Sequence, residues 1–113
     1  MPTNAEMYDA AIGLQQEGHL EEAVGRLLEL VAQEETYALA HAALSVFYLK
    51  MERLDEAVEH AQRVCELEPD DPFSYIALSL VCQKAGRLPD AEQALVRARQ
   101  VQYMAARESR PTE

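Results

Sequence analysis

The chain contains no tryptophan, only two phenylalanines, two cysteines and four glycines, and ten basic residues against twenty acidic ones. Each shortage excludes something. Cys65 and Cys82 lie inside helix-patterned segments and are too few for a disulfide framework, so a reduced, cytoplasmic setting is expected. No apolar run approaches the roughly 18 residues of a spanning helix, so membrane insertion is not expected. The opening Met1-Pro2-Thr3-Asn4 has no basic segment followed by an apolar one and does not read as a secretory signal. With a formal net charge of −10, the clustered cations that neutralise phosphates are missing, and nucleic acid is not an expected partner.

The chemistry-bearing residues are equally sparse. There is no glycine-rich phosphate loop. His19, His41 and His60 fall in a turn, a packing position and an outer helix face, without zinc-ligand spacing. The acid pairs Glu21-Glu22, Glu34-Glu35 and Asp70-Asp71 are sequence neighbours whose side chains point apart, unsuited to joint acid–base work. No catalytic, cofactor-binding or metal-ligating residue is singled out, and an enzyme is not expected.

What the chain does have is a 34-residue repeat, three times over. With Asn4, Ala38 and Pro72 as first residues, slot 17 holds Leu20, Leu54 and Leu88, and slot 20 holds Ala23, Ala57 and Ala91. Slot 8 is always small: Ala11, Ser45, Ser79. Apolar residues recur at three- and four-residue steps, as in Leu20-Ala23-Val24-Leu27-Leu28-Val31, so each unit reads as two amphipathic helices. First helices are predicted over 4–17, 38–51 and 72–85, and second helices over 21–34, 55–68 and 89–102. Gly18 and Gly86 supply the unusual backbone of the intervening turn; Glu52 takes that slot in the middle unit, which predicts strain there. Asp71 can cap the helix that Pro72 begins. Charge falls unevenly: eight acids and one Arg in residues 4–37, eight acids and three bases in 38–71, then two acids and four bases in 72–105.

In these positions the chain resembles the tetratricopeptide repeat (TPR) family. That repeat is a 34-residue helical hairpin, small at slots 8 and 20 and large and apolar at slots 7, 11, 17, 24 and 27. Slot 7 holds Ala10, Leu44 and Leu78; slot 24 holds Leu27, Ala61 and Leu95; slot 27 holds Leu30, Val64 and Ala98. Departures are Met7 and His41 at slot 4, where only Tyr75 fits, and Glu35 and Tyr103 at slot 32, where only Pro69 does. The resemblance implies an all-α, right-handed superhelical solenoid of three hairpins. It divides the chain into a leader at 1–3, repeats at 4–37, 38–71 and 72–105, and a polar tail at 106–113.

It also implies a concave surface, lined by the first helices, that holds a peptide or helix of a partner. The lining slots here carry Tyr8 and Ile12 in unit one, Leu39, Val46, Leu49 and Lys50 in unit two, and Phe73, Ile76, Leu80 and Lys84 in unit three. A contiguous apolar surface of this kind marks an interaction site, with Phe73 and Tyr8 as candidate anchors. The expected function is a non-catalytic protein-interaction scaffold for an apolar or amphipathic segment. Its rivals are a small acidic peptide-sequestering chaperone of the secretion type and a homo-oligomerisation module. Family members that grip the C-terminal peptide of heat-shock chaperones do so with Lys, Asn and Arg. Tyr8, Ile12, Ala43, Phe73 and Ala77 stand at those positions, so no carboxylate clamp is expected. In the last helix, Glu92 and Arg99 replace the apolar residues that face a following repeat elsewhere, which predicts an end cap. Attraction between the acidic first units and the basic last one makes self-association a further expectation.

Overall fold

Six helices, α1 (Asn4–Gln16), α2 (Leu20–Gln33), α3 (Ala38–Lys50), α4 (Leu54–Leu67), α5 (Pro72–Lys84) and α6 (Leu88–Glu108), follow one another in the computed structural model, which describes residues 1–109. They start where the local chemistry allows. Thr3 caps α1 in a capping box with Glu6, and this hydrogen bonding holds the Glu6 carboxyl below its ordinary pKa. Asp71 accepts from the Phe73 amide at the start of α5, with Pro72 in the first turn. The first helix of every unit ends at a residue of positive φ: Gly18 at 90°, Glu52 at 60° and Gly86 at 77°.

Glu52 therefore carries the strain expected of it, since a Cβ crowds the carbonyl in the left-handed region. Glu52→Gly should raise stability by about 0.5–1 kcal/mol, the relieved strain being partly offset by a more flexible unfolded chain. Urea titration of the two proteins would show the midpoint rising; an unchanged or lower midpoint would contradict the strain.

The helices form three hairpins stacked in sequence order, each second helix packing on the first helix of the next unit. The small slots lie in the buried interior of the stack. Ala11, Ser45 and Ser79 of slot 8 and Ala23, Ala57 and Ala91 of slot 20 are all buried, with Leu27, Leu30 and Leu44 filling the space between. One core cluster runs through all three units, so the apolar surface is buried between neighbours rather than in a closed centre.

The two slot-8 serines differ. The Ser45 hydroxyl donates to the Ala57 carbonyl at 2.9 Å, tying α3 to α4, whereas the Ser79 hydroxyl is buried and finds no partner among the described residues. An unmatched buried hydroxyl costs about 1–3 kcal/mol, so Ser79→Ala should stabilise the chain by about 1 kcal/mol while Ser45→Ala destabilises it. Paired thermal melts read both signs; two shifts of the same sign would rule out this difference.

The last helix departs from the expected boundary. It was predicted over 89–102 and runs to Glu108, carrying Ala106–Glu108 of the expected tail in helical form; residues 110–113 of that tail lie outside the described residues. Tyr103, at slot 32, continues the helix, whereas Pro69 at the same slot in unit two stands just past the end of α4. Glu92 and Arg99 are exposed on α6. Exposed ion pairs also link segments along the stack: Arg87 reaches Asp55 at 2.7 Å and Arg63 reaches Glu35 at 3.1 Å. Such pairs contribute little stability in water.

Candidate peptide-binding site

A recess of about 290 Å³ opens between α3 and α5, and almost all of its accessible lining is apolar. Ala42, Ser45, Val46 and Leu49 of α3 form one wall; Ser74, Ala77, Leu80, Val81 and Lys84 of α5 form the other. Ala61 and Val64 of α4 make the floor. Slot 24, alanine in the middle unit, lines the recess, whereas Leu27 at the same slot in unit one is fully buried.

Four of the residues expected to line a groove are brought together here: Val46, Leu49, Leu80 and Lys84. Val46 is 48% and Leu80 54% exposed, so both walls present apolar surface to solvent. The others are placed elsewhere. Tyr8 and Ile12 pack against the core, with the Tyr8 ring edge-on to Tyr37 at 6.2 Å. Burial pushes the Tyr8 hydroxyl to a higher pKa. Leu39 and Phe73 are exposed and Ile76 half-buried, none of them lining the recess. The Lys50 ammonium lies 6.0 Å from the centroid of the Phe47 ring rather than at the mouth.

The floor was not legible from the first-helix slots, because Ala61 and Val64 belong to a second helix. The available signal was the break at slot 24, Leu-Ala-Leu across the three units.

Near the recess, the Cys65 thiol donates to the Ser74 carbonyl at 3.3 Å, packing α4 against unit three as its slot implied. Burial pushes the Cys65 thiol up in pKa, and burial does the same to Cys82, so both stay protonated and poorly nucleophilic. Among the described residues, no group of three or more His, Cys, Asp or Glu side chains is arranged to hold a metal ion, and no helix is long and apolar enough to cross a membrane.

His60 does not lie on an open outer face as expected from its slot. It is half-buried, with its Nδ1 3.0 Å from Nδ1 of His41, while Nε2 of His41 lies 2.8 Å from the Glu35 carbonyl. The Glu35 oxygen can only accept, so His41 carries its proton on Nε2 and accepts at Nδ1 from His60. Burial first, and His41 second, lower the pKa of His60 from its ordinary 6.5. A base whose pKa is depressed by folding binds more protons unfolded. The stability it contributes is complete above pH 6.5 and is lost progressively as pH falls below that value. Melting temperatures recorded from pH 8 to pH 5.5 are expected to fall below pH 6.5 in the native chain and less in His60→Gln. Equal slopes in both would remove His60 as the cause.

No protein-family model matches the chain, and no curated protein does. Its backbone is nevertheless similar to solved structures. MamA superimposes with a TM-score of 0.83 at 19% identity, covering 93% of this chain, which spans 61% of the MamA chain's length. The second TPR of Spaghetti (RPAP3), bound to an HSP90 peptide, gives a TM-score of 0.76 at 20% identity, covering 87% of this chain and 91% of that one. The fold is a TPR solenoid. The type III secretion translocator chaperone SycD of Yersinia enterocolitica shares it as well, with a TM-score of 0.77 at 19% identity over 88% of this chain and 74% of its own. The recess between α3 and α5 therefore lies between the first helices of consecutive TPR units, beside the helices that line the concave face in the solenoid implied by the repeat.

Proposed function

We propose that this TPR solenoid is a non-catalytic protein-interaction scaffold that seats an apolar or amphipathic segment of another protein in the recess between α3 and α5. The observation that carries this reading is the recess itself. Apolar cavities of about 150 Å³ accept a molecule the size of benzene, so about 290 Å³ has room for one or two apolar side chains. Val46, Leu49 and Leu80 supply the contacts and Lys84 a cation at the mouth, which suits a segment with an acidic residue beside its apolar anchor. Phe73, 71% exposed outside the recess, extends the apolar surface rather than forming the pocket. Tyr8, held against Tyr37, supports unit one.

The RPAP3 domain shows that this fold can hold a peptide, but the mode proposed here differs. Tyr8, Ile12, Ala43, Phe73 and Ala77 offer no cation to a terminal carboxylate. A second reading, a chaperone that shields a client's apolar segment, is favoured by the likeness to SycD together with the acidic first two units. Both readings use the same recess. Self-association through the oppositely charged first and last units is the third, and light scattering at low and high salt separates it from the others.

To test the recess, a binder selected from a random peptide library would be titrated into methyl-labelled protein. Shifts centred on Val46, Leu49, Val64 and Leu80 are expected. Shifts confined to the outer faces of α2 and α6 would place the site elsewhere and defeat the proposal.

A further inference from the structure

The His41–His60 contact is one residue from the recess on both sides. His41 precedes Ala42 of the α3 wall, and His60 precedes Ala61 of the α4 floor. The two rings are stacked with centroids 5.2 Å apart, and the Tyr48 ring stacks on His60 from α3 at 5.7 Å. The pair thus forms a second polar link across the α3–α4 seam, beside the Ser45–Ala57 hydrogen bond. It is fixed at its far end by the Glu35 carbonyl in the α2–α3 connection.

We infer that the His41–His60 hydrogen bond is a proton-sensitive strut that sets the spacing of α3 and α4 and so regulates the shape of the recess. This rests on the recess being the binding site. The proton inventory gives the mechanism. In the neutral pair His41 holds its proton on Nε2 and His60 holds its own on Nδ1, leaving Nε2 of His60 free. A first added proton enters there, and the Nδ1–H···Nδ1 bond persists. A second must go to Nδ1 of His41, the accepting atom itself. Two N–H groups then face each other 3.0 Å apart, both on cations, and the bond becomes a repulsion.

The charged surroundings are few. Glu56 and Glu59 on α4 favour the protonated form of His60. One turn further on, Arg63 is engaged by Glu35 and Glu66. From the α3–α4 turn Arg53 lies over Tyr48 and pairs with Glu56. From the α2–α3 connection the Glu35 carbonyl hydrogen-bonds His41, and among the described residues no carboxylate hydrogen-bonds either ring. Glu59 and Glu56 are therefore the carboxylates that offset charge on the pair, and neither is hydrogen-bonded to a ring.

The test uses the native chain and needs no ligand. Imidazole C–H and methyl resonances are followed together by NMR from pH 8 to pH 5, with the exposed His19 as internal reference. Methyl shifts of Ala42, Ala61 and Val64 are expected to move as the pH falls, after the first proton has entered at His60, while core methyls such as Leu27 stay fixed. The variant His60→Gln separates strut from switch. Its amide can donate to neutral His41 or, flipped, accept from protonated His41, so the bond survives in both states. In that variant the recess methyls should lose their pH response. Recess methyls that stay flat while both rings titrate, a response that persists in His60→Gln, or global unfolding before the second proton binds would each overturn the inference. Failure of the peptide titration alone would instead remove the recess as a binding site and leave these resonances interpretable.

Discussion

Ala57→Leu should destabilise the chain by about 3 kcal/mol, at the upper end of what overpacking a filled core costs. Ala57 is fully buried, and its carbonyl accepts the Ser45 hydroxyl, so α3 and α4 touch at this point with no space for an isobutyl group. The helices must separate, breaking that bond and loosening the Leu44 contacts beside it. For a chain of this size the melting temperature should drop by roughly 10 °C or more. Gln62→Leu, on the exposed side of the same helix, is the control and should change stability by no more than about 0.5 kcal/mol. Equal melts for Ala57→Leu and the control would mean that slot 20 is not the point of closest approach, and the packing scheme of all three units would fail with it.

That scheme was legible in the repeat itself. A fixed period puts chemically equivalent residues in equivalent environments, so the small residues of slots 8 and 20 and the strained turn at Glu52 could be assigned without coordinates. The helix starts could be assigned as well, to within a residue. Features that break the period were harder to read. The extra turns of α6 run through slot 32, where Tyr103 stands in place of Pro69, and the period alone does not say that a helix continues there. The His41–His60 bond joins slot 4 to slot 23, positions that hold Met7 and Arg26 in unit one and Tyr75 and Ala94 in unit three, so no repeat rule pairs them. The groove was read from first-helix slots alone, as an apolar surface concentrated in the middle and last units. The recess between those units also has Ala61 and Val64 of a second helix beneath it, and a recess depends on what is missing beneath the surface as much as on what lines it.

Ala61→Leu makes that dependence testable. It is the same substitution as Ala57→Leu, one helical turn later, and the opposite effect on stability is expected. Ala61 floors the recess, so an isobutyl group there enters open space of about 290 Å³ rather than a filled contact. It restores the leucine that slot 24 carries as Leu27 and Leu95 in the other units. Filling an apolar recess commonly stabilises by about 0.5–2 kcal/mol, and the melting temperature should hold or rise. Binding should move the other way. A partner side chain that can no longer be seated forfeits about 1.5–3 kcal/mol of apolar burial. That corresponds to roughly a ten- to hundredfold loss of affinity for a peptide selected against the native chain, read by calorimetric titration. A variant that is stable and binds poorly would locate recognition in the recess. One that is stable and binds unchanged would move recognition to the exposed apolar surface around Phe73 and leave the recess as a packing gap between units two and three.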